Sequence, residues 1–427
     1  MRLRAIFLLT LTLVLIFYQF PPQGMPLPFV PLANILLVVL IGLATVYGRS
    51  HILSKKPLLF FSGLITAAAL ISVFASEDRL GDTLFAIRIL VLSPIGLVIA
   101  GFATAKQKIE DIPYILLPPA FFGVLLMSWA LTKPFTGEFS SDIYIWNEGR
   151  VFINPLSKLP MWPVTLSENC AAGFLLFFFL FGCLNQKKTL MMLPAVIGAI
   201  SISIVSATRT YFFATMAVFL VSAARRSILD KRYRDFLIGF GFLVSIVLAI
   251  IIYKPARTIT EKGFERFFSG DGLFGSSERV DIWHDRFNIA RGLPWLESLG
   301  VTNYFDRFEL SSHNLWIDYW LMGGHIYVLT VSLLVLYILK QAFRLLTTRR
   351  LRPQGLASAY GFFTLFGVSF ISSPVVSSPM AHLLFWFLGG CVLGSNERGS
   401  EIGSNRNASH NSSTQSPNRL RPNLVNS

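Results

Sequence analysis

The sequence predicts an all-α polytopic membrane protein of about twelve transmembrane helices, with a helical loop between the ninth and tenth. Three observations predict it. Hydrophobic residues make up 53% of the 427 and charged residues only 14%, whereas soluble domains carry roughly 25% charge. The mean hydropathy is +0.59. Apolar stretches recur at about the 20-residue length that crosses ~30 Å of hydrocarbon. The strict alternation of a barrel strand is absent, which leaves helices as the spanning elements.

Taken in order, Met1-Arg2-Leu3-Arg4 opens an apolar run that resembles a signal peptide. The run meets Pro21-Pro22-Gln23-Gly24 instead of a small-x-small cleavage site, so an uncleaved first span is expected over 4–20. Further spans are expected near 30–48, 57–76, 83–103, 113–132, 169–185, 189–207, 210–224, 236–253, 313–340, 354–373 and 376–394. Lys and Arg gather on the side of the termini, which the positive-inside rule makes cytoplasmic. Two long loops, 133–168 and 254–312, then face the other side, and long loops are where function concentrates. Residues 1–395 form the expected membrane domain. The stretch 396–427, rich in Ser, Asn and Arg, is expected to be a disordered cytoplasmic tail, where the sequon at Asn407 would have no meaning. No internal repeat is visible.

Cys170, Cys183 and Cys391 sit in or beside apolar segments without metal or redox spacing, so they read as packing residues. The net charge of +14 is explained by cytoplasmic residues facing anionic headgroups. Nucleic-acid binding would need a basic soluble module, and none is present. No cofactor and no metal are expected.

The loop 254–312 breaks the charge rule with Lys254, Arg257, Lys262, Arg266, Arg279, Arg286, Arg291 and Arg307. This is either a solvated basic surface or an anion site. Ser276–Phe287 reads as a short amphipathic helix, stopped by Gly292 and Pro294. Val280, Trp283, Phe287 and Ala290 form its apolar stripe, suited to the membrane surface or to the spans. Arg279 and Arg286 project from nearly one face, about 10 Å apart along the axis, a spacing that grips an extended phosphate chain. Asp281, His284 and Asp285 are the metal alternative, without a strong ligand motif.

Ser312 reads as the N-cap of the tenth span, which puts His313 in its first turn. There the positive end of the dipole would disfavour imidazolium and leave a neutral general base. Arg209, in the tight turn Ser206-Ala207-Thr208-Arg209-Thr210, is either a headgroup contact or a phosphate clamp. Arg88 lies within the fourth span, where a charge is costly and points to function unless it snorkels out. In the loop 133–168, Arg150 with Asn154-Pro155 could line a sugar site, and Glu168 could serve as a second base or an acceptor anchor.

His313-Asn314, nine residues, then Gly324-His325-Ile326-Tyr327 resembles the signature of bacterial O-antigen ligases and pilin O-oligosaccharyltransferases. The order Arg279, Trp283, Pro294, Gly300-Val301, His313-Asn314 is similar to the O-antigen ligase/polymerase superfamily, and Ser206–Arg209 resembles its Ser-x-x-Arg turn. The resemblance covers roughly 190–345. It implies a GT-C-like fold and a metal-independent, inverting transfer from an undecaprenyl-diphosphate-linked glycan to an acceptor hydroxyl. His313 would be the essential base and Arg209 and Arg279 the diphosphate ligands. Arg286 and Arg88 are added as further diphosphate ligands, with Asn314, Arg150 and Glu168 on the acceptor or sugar side.

The expected protein is thus an inner-membrane enzyme with a periplasmic site, ligating glycan onto lipid A–core or, alternatively, polymerising lipid-linked repeat units. A lipid-linked oligosaccharide flippase would want charges leading across the spans, and a non-catalytic scaffold would depend on no single loop residue.

Overall fold

The computed structural model describes residues 2–17, 29–76, 83, 86–106, 152–153, 160–161, 221, 225, 228, 237, 241, 277–308, 312–348, 353–370 and 379–395. Within them the elements are α1 (Arg2–Phe17), α2 (Phe29–Tyr47), α3 (Arg49–Ser54) and α4 (Lys56–Ala75). Next comes α5, whose first part Ile87–Gly96 is π-helical and whose second part Leu97–Ala105 is α-helical. Strands β1 (Phe152–Ile153) and β2 (Pro160–Met161) are followed by α6 (Ser277–Gly292), α7 (Val301–Arg307), α8 (Leu315–Thr347), α9 (Pro353–Val368) and α10 (Pro379–Ser395).

Among the described residues, three helices are long and apolar enough to cross a membrane: Lys56–Ala75, Ile87–Ala105 and Leu315–Thr347. This makes the chain a membrane-associated protein, and it overturns the expected all-α, GT-C-like class of about twelve spans. Leu3–Leu15, Asn34–Tyr47 and Met380–Ser395 are shorter apolar helical stretches among the described residues. The spans expected at 113–132, 169–185 and 189–207 lie outside the described residues, as do those at 210–224 and 236–253 apart from isolated helical positions. So does the tail from 396. Nor is the chain purely helical. Phe152 pairs with Met161 and Ile153 with Pro160 in a short antiparallel ladder inside the loop expected at 133–168.

α10 sits at the centre, buried from Met380 to Gly394. Its closest neighbour is the second half of α5, and small residues permit the approach. A Cβ on Gly101 would lie 1.9 Å from the Phe387 carbonyl oxygen, and one on Gly390 would lie 2.1 Å from that of Val98. Both helices are buried along this seam, and the small residues let backbone meet backbone there. Threonines in the apolar helices return their hydroxyls to the backbone, as Thr10 does to the Ile6 carbonyl (2.8 Å) and Thr104 to that of Ala100 (2.8 Å).

Two backbone irregularities shape the region that matters for function. Pro94, which has no N–H, lies in the π-helical part of α5, and the Tyr327 hydroxyl donates to the Leu90 carbonyl of the same segment (2.9 Å). Gly324 breaks α8 with φ +74°, dividing it into α8a (residues 315–323) and α8b (residues 325–347). The carbonyls freed by this break find partners elsewhere. Leu321 accepts from the Leu299 N–H (3.0 Å) and Met322 from the Ser72 hydroxyl (3.2 Å). Gly324 is required here twice over: its φ is left-handed, and a Cβ would stand 2.5 Å from the Glu297 carbonyl oxygen.

Candidate active site at the head of α8

α8a begins where Asn314, in extended conformation, caps it. Asn314 Oδ1 accepts from the N–H groups of Trp316 (3.0 Å) and Ile317 (3.2 Å). The Asn314 amide donates to the Phe370 carbonyl (3.1 Å), and the Leu315 N–H donates to that of Ser369 (2.9 Å). The helix start is thereby tied to the end of α9.

This corrects the expected cap. Asn314, whose carboxamide reaches two amides at once, takes the place assigned to Ser312. His313 therefore precedes the helix instead of lying in its first turn, and the dipole argument built on that position does not apply to it. His313 is the one non-glycine residue with positive φ (54°) among the described residues, a conformation that costs about 1–2 kcal/mol. Ser312 closes the turn around it, its hydroxyl donating to the Asn314 carbonyl (2.8 Å) and accepting from the Asn314 N–H (3.1 Å).

The turn is anchored on Asp318, a fully buried carboxylate that accepts from the Ser312 N–H (3.2 Å) and from the Tyr304 hydroxyl of α7 (2.6 Å). Burial, then the Asp318 charge, push the Tyr304 phenol well above its ordinary range, so it remains a donor.

Arg286 of α6 completes the cluster. Its guanidinium lies over the Phe308 ring with Cζ 3.3 Å from the centroid, and its side chain is 15% exposed. Asp285 approaches at 3.4 Å but is 63% exposed, so that pair contributes little. Burial, first and foremost, lowers the Arg286 pKa, and the nearby Asp285 and Asp318 charges oppose that. Its Nε is buried with no hydrogen-bond partner, as is the Trp283 indole nitrogen one turn earlier. Both groups are donors only, suited to anionic or other acceptor-rich oxygen ligands.

Asp318 thus holds the backbone of the turn that carries His313 and Asn314, through the Ser312 N–H, and lies within electrostatic reach of Arg286. Arg279 lies on the backbone of α6 two turns before Arg286; its side chain, and Arg209, Arg150 and Glu168 entirely, lie outside the described residues. The apolar stripe expected on α6 is only partly seated, with Ala290 buried but Val280 and Phe287 exposed. The metal alternative does not assemble. Among the described residues no three His, Cys, Asp or Glu side chains are placed to hold an ion, and His284 instead faces the Asn288 amide at 3.1 Å.

Arg88 belongs to a second polar cluster. It lies half-buried at the start of α5, its carbonyl accepting from the Ser93 hydroxyl (3.0 Å) and its charge within reach of His382 on α10. His382 pairs with the Tyr319 hydroxyl, and the Trp386 indole donates at 3.1 Å to both. Asp318 and Tyr319 are consecutive, so neighbouring faces of α8a serve the two clusters.

Sequence reasoning missed Asp318, Tyr304, Tyr319 and His382. The available signal was an ionisable residue inside an apolar run, at 318 and again at 382. It also left Gly324 and Tyr327 without physical roles. Here Gly324 makes the break and Tyr327 donates to the Leu90 carbonyl.

No protein-family model matches this chain, and no curated protein matches it either.

Proposed function

We propose that the chain is a membrane glycosyltransferase that moves a glycan from undecaprenyl diphosphate to an acceptor sugar hydroxyl, ligation to lipid A–core being the first form of the reaction. Its setting is the bacterial inner membrane, with the site on the periplasmic face and both termini cytoplasmic. The observation that carries the reading is the cluster at the head of α8. Asp318 anchors the strained turn that carries His313 and lies within electrostatic reach of Arg286, whose Nε is buried without a hydrogen-bond partner. The resemblance of His313–Tyr327 to the ligase signature supports the same reading.

The chemistry follows from those groups. His313 takes the proton of the acceptor hydroxyl as its oxygen bonds to the anomeric carbon. The bond from that carbon to the diphosphate oxygen breaks, and the lipid diphosphate leaves with the electron pair. Direct displacement inverts the configuration. The leaving group's negative charge needs cations in a water-poor site. Arg286 meets that need, with Arg279 and Arg209 as the further guanidinium groups and Arg88 as a fourth candidate. Asn314, Arg150 and Glu168 are assigned to the acceptor side. Acceptor and donor lipids are the partners, and no cofactor enters.

The test is surface lipopolysaccharide from strains carrying His313→Ala, Arg286→Ala, Arg279→Ala or Arg209→Ala at normal protein levels. Ligation predicts bare core with glycan accumulating on the carrier lipid. Core bearing a single repeat unit would assign polymerisation instead, and unchanged display would sink the transferase reading. A transporter reading draws on one observation, the Arg88–His382–Tyr319 cluster within the helices. It requires that Arg88→Ala stop lipid-linked glycan from reaching the periplasmic leaflet.

A further inference from the structure

The turn between α6 and α7 carries apolar side chains that its immediate surroundings do not cover. Trp295 is 70% exposed and Leu296 61% exposed. The turn itself is firmly placed. Leu299 N–H donates to the Leu321 carbonyl (3.0 Å), the Ser298 and Ser72 hydroxyls pair at 2.8 Å, and the Glu297 carbonyl closes over Gly324. Trp295 thus cannot swing inward without breaking the contacts that satisfy the α8 break.

Its height is set by His325, the first residue of α8b, whose ring lies 5.0 Å from the Trp295 ring. His325 stands one turn before Leu329, and Leu329, Leu333, Leu336 and Phe343 form an exposed stripe at helical spacing down α8b. On a candidate membrane span such a stripe faces acyl chains. α4, the neighbouring span, ends at the same level. Its Ser72 holds Ser298, and its Phe74, two residues on, is also strongly exposed. Trp295 and Leu296 therefore continue the lipid-facing surface by one step beyond the end of the span. The exposed charges around this turn are of both signs, Arg291 and Arg307 beside Asp285, Glu297 and Asp306, so the apolar continuity alone carries the placement.

We infer that the Trp295–Leu296 turn inserts into the headgroup boundary of the bilayer and fixes the depth at which α6 and α7 ride on the membrane. An indole suits that layer, with its ring among the upper acyl carbons and its N–H toward ester and phosphate oxygens. The assignment does not depend on which reaction the cluster at α8 performs.

The experiment uses the full chain in vesicles of phosphatidylcholine with anionic lipid, brominated either near the headgroup end of the acyl chains or near the terminal methyl. Tryptophan emission is compared between wild type and Trp295→Phe. The portion of emission that the substitution removes is expected to be quenched strongly by the shallow bromines and weakly by the deep ones and by aqueous iodide. If that portion responds chiefly to iodide, or more to the deep bromines than to the shallow ones, the inference is overturned. Should Trp295→Phe fold poorly, Leu296→Trp in the otherwise native chain serves instead. Its added emission must show the same shallow preference, and an added emission indifferent to both lipids refutes the anchor.

Discussion

The seam between α5 and α10 and the head of α8 are both buried, yet they are held by opposite means. In the seam, Gly101, Gly390 and Gly394 let two backbones touch, and the polar contribution is small: Cys391 donates to the Gly101 carbonyl at 3.3 Å. At the head of α8 the chain is broken by Gly324 and bent at His313, and polar contacts are set among the aromatic ones, with Asp318, Ser312, Asn314 and Tyr304 hydrogen-bonded there. Regular helix satisfies its own backbone, so glycines suffice to pack it. Irregular backbone releases N–H and C=O groups that must find partners, so polar side chains collect there.

If this contrast is right, the seam should be the more brittle region toward added volume. Gly390→Val would drive its side chain into the Val98 carbonyl, and we expect a loss of about 3 kcal/mol, read as a collapse of the thermal transition in detergent. A normal transition would break the contrast. At the polar head, Asp318→Ala removes the acceptor of Tyr304 and Ser312. About 2 kcal/mol should be lost, and amide exchange at 301–318 should accelerate while that of α10 does not.

Arg286→Gln deletes the charge over Phe308 while keeping a polar side chain. Its stability effect should stay near 1 kcal/mol, while binding of a lipid diphosphate weakens much more, measurable by titration in nanodiscs. Equal small effects on both would demote Arg286 to a packing residue. His313→Gly sharpens the comparison further. Glycine adopts φ +54° without penalty, so stability should hold or rise by up to about 1 kcal/mol, whereas transfer should vanish. His313→Ala should lose transfer as well, without the gain.

The smallest expected effect is a pH dependence. Burial and Asp318 raise the Tyr304 phenol, so its folded-state pKa exceeds the unfolded value. The contribution is complete below the unfolded phenol's pKa of about 10 and is lost as the pH climbs through the folded value. Near-UV circular dichroism from the α6–α8 tryptophans should be flat through neutrality and change only in strong alkali. A transition near pH 7 would mean that another group governs the cluster.

Much of the helical framework was legible from apolar length and punctuation. α4 was expected at 57–76 and runs Lys56–Ala75. The helix stopped by Gly292 ends there, because a glycine and a following proline leave no way to continue. The number of membrane crossings was not legible in the same way. Apolar run length says that a segment avoids water, but α10 shows that a 17-residue apolar helix can be buried among other helices. Within the site, His313 and Asn314 could be picked out because they resemble a known signature, and Arg286 because it follows Arg279 by seven residues on an expected helix. Asp318 could not, because its role depends on Tyr304 and Ser312 arriving from outside its own helix.

Composition alone determined that this chain belongs to a membrane, since so few charges and so many apolar residues cannot be covered by water. Local sequence placed a helix start within two residues of the true cap at Asn314, and it supplied the glycine at 324 that a left-handed break needs. Only the tertiary structure decided which carbonyls that break would release to Leu299 and Ser72, and that Asp318, not the helix dipole, would organise the turn holding His313. Helix propensity and hydropathy are properties of neighbours along the chain. The partner of a freed backbone group or a buried carboxylate is chosen by whatever folding brings within 3 Å or so of it.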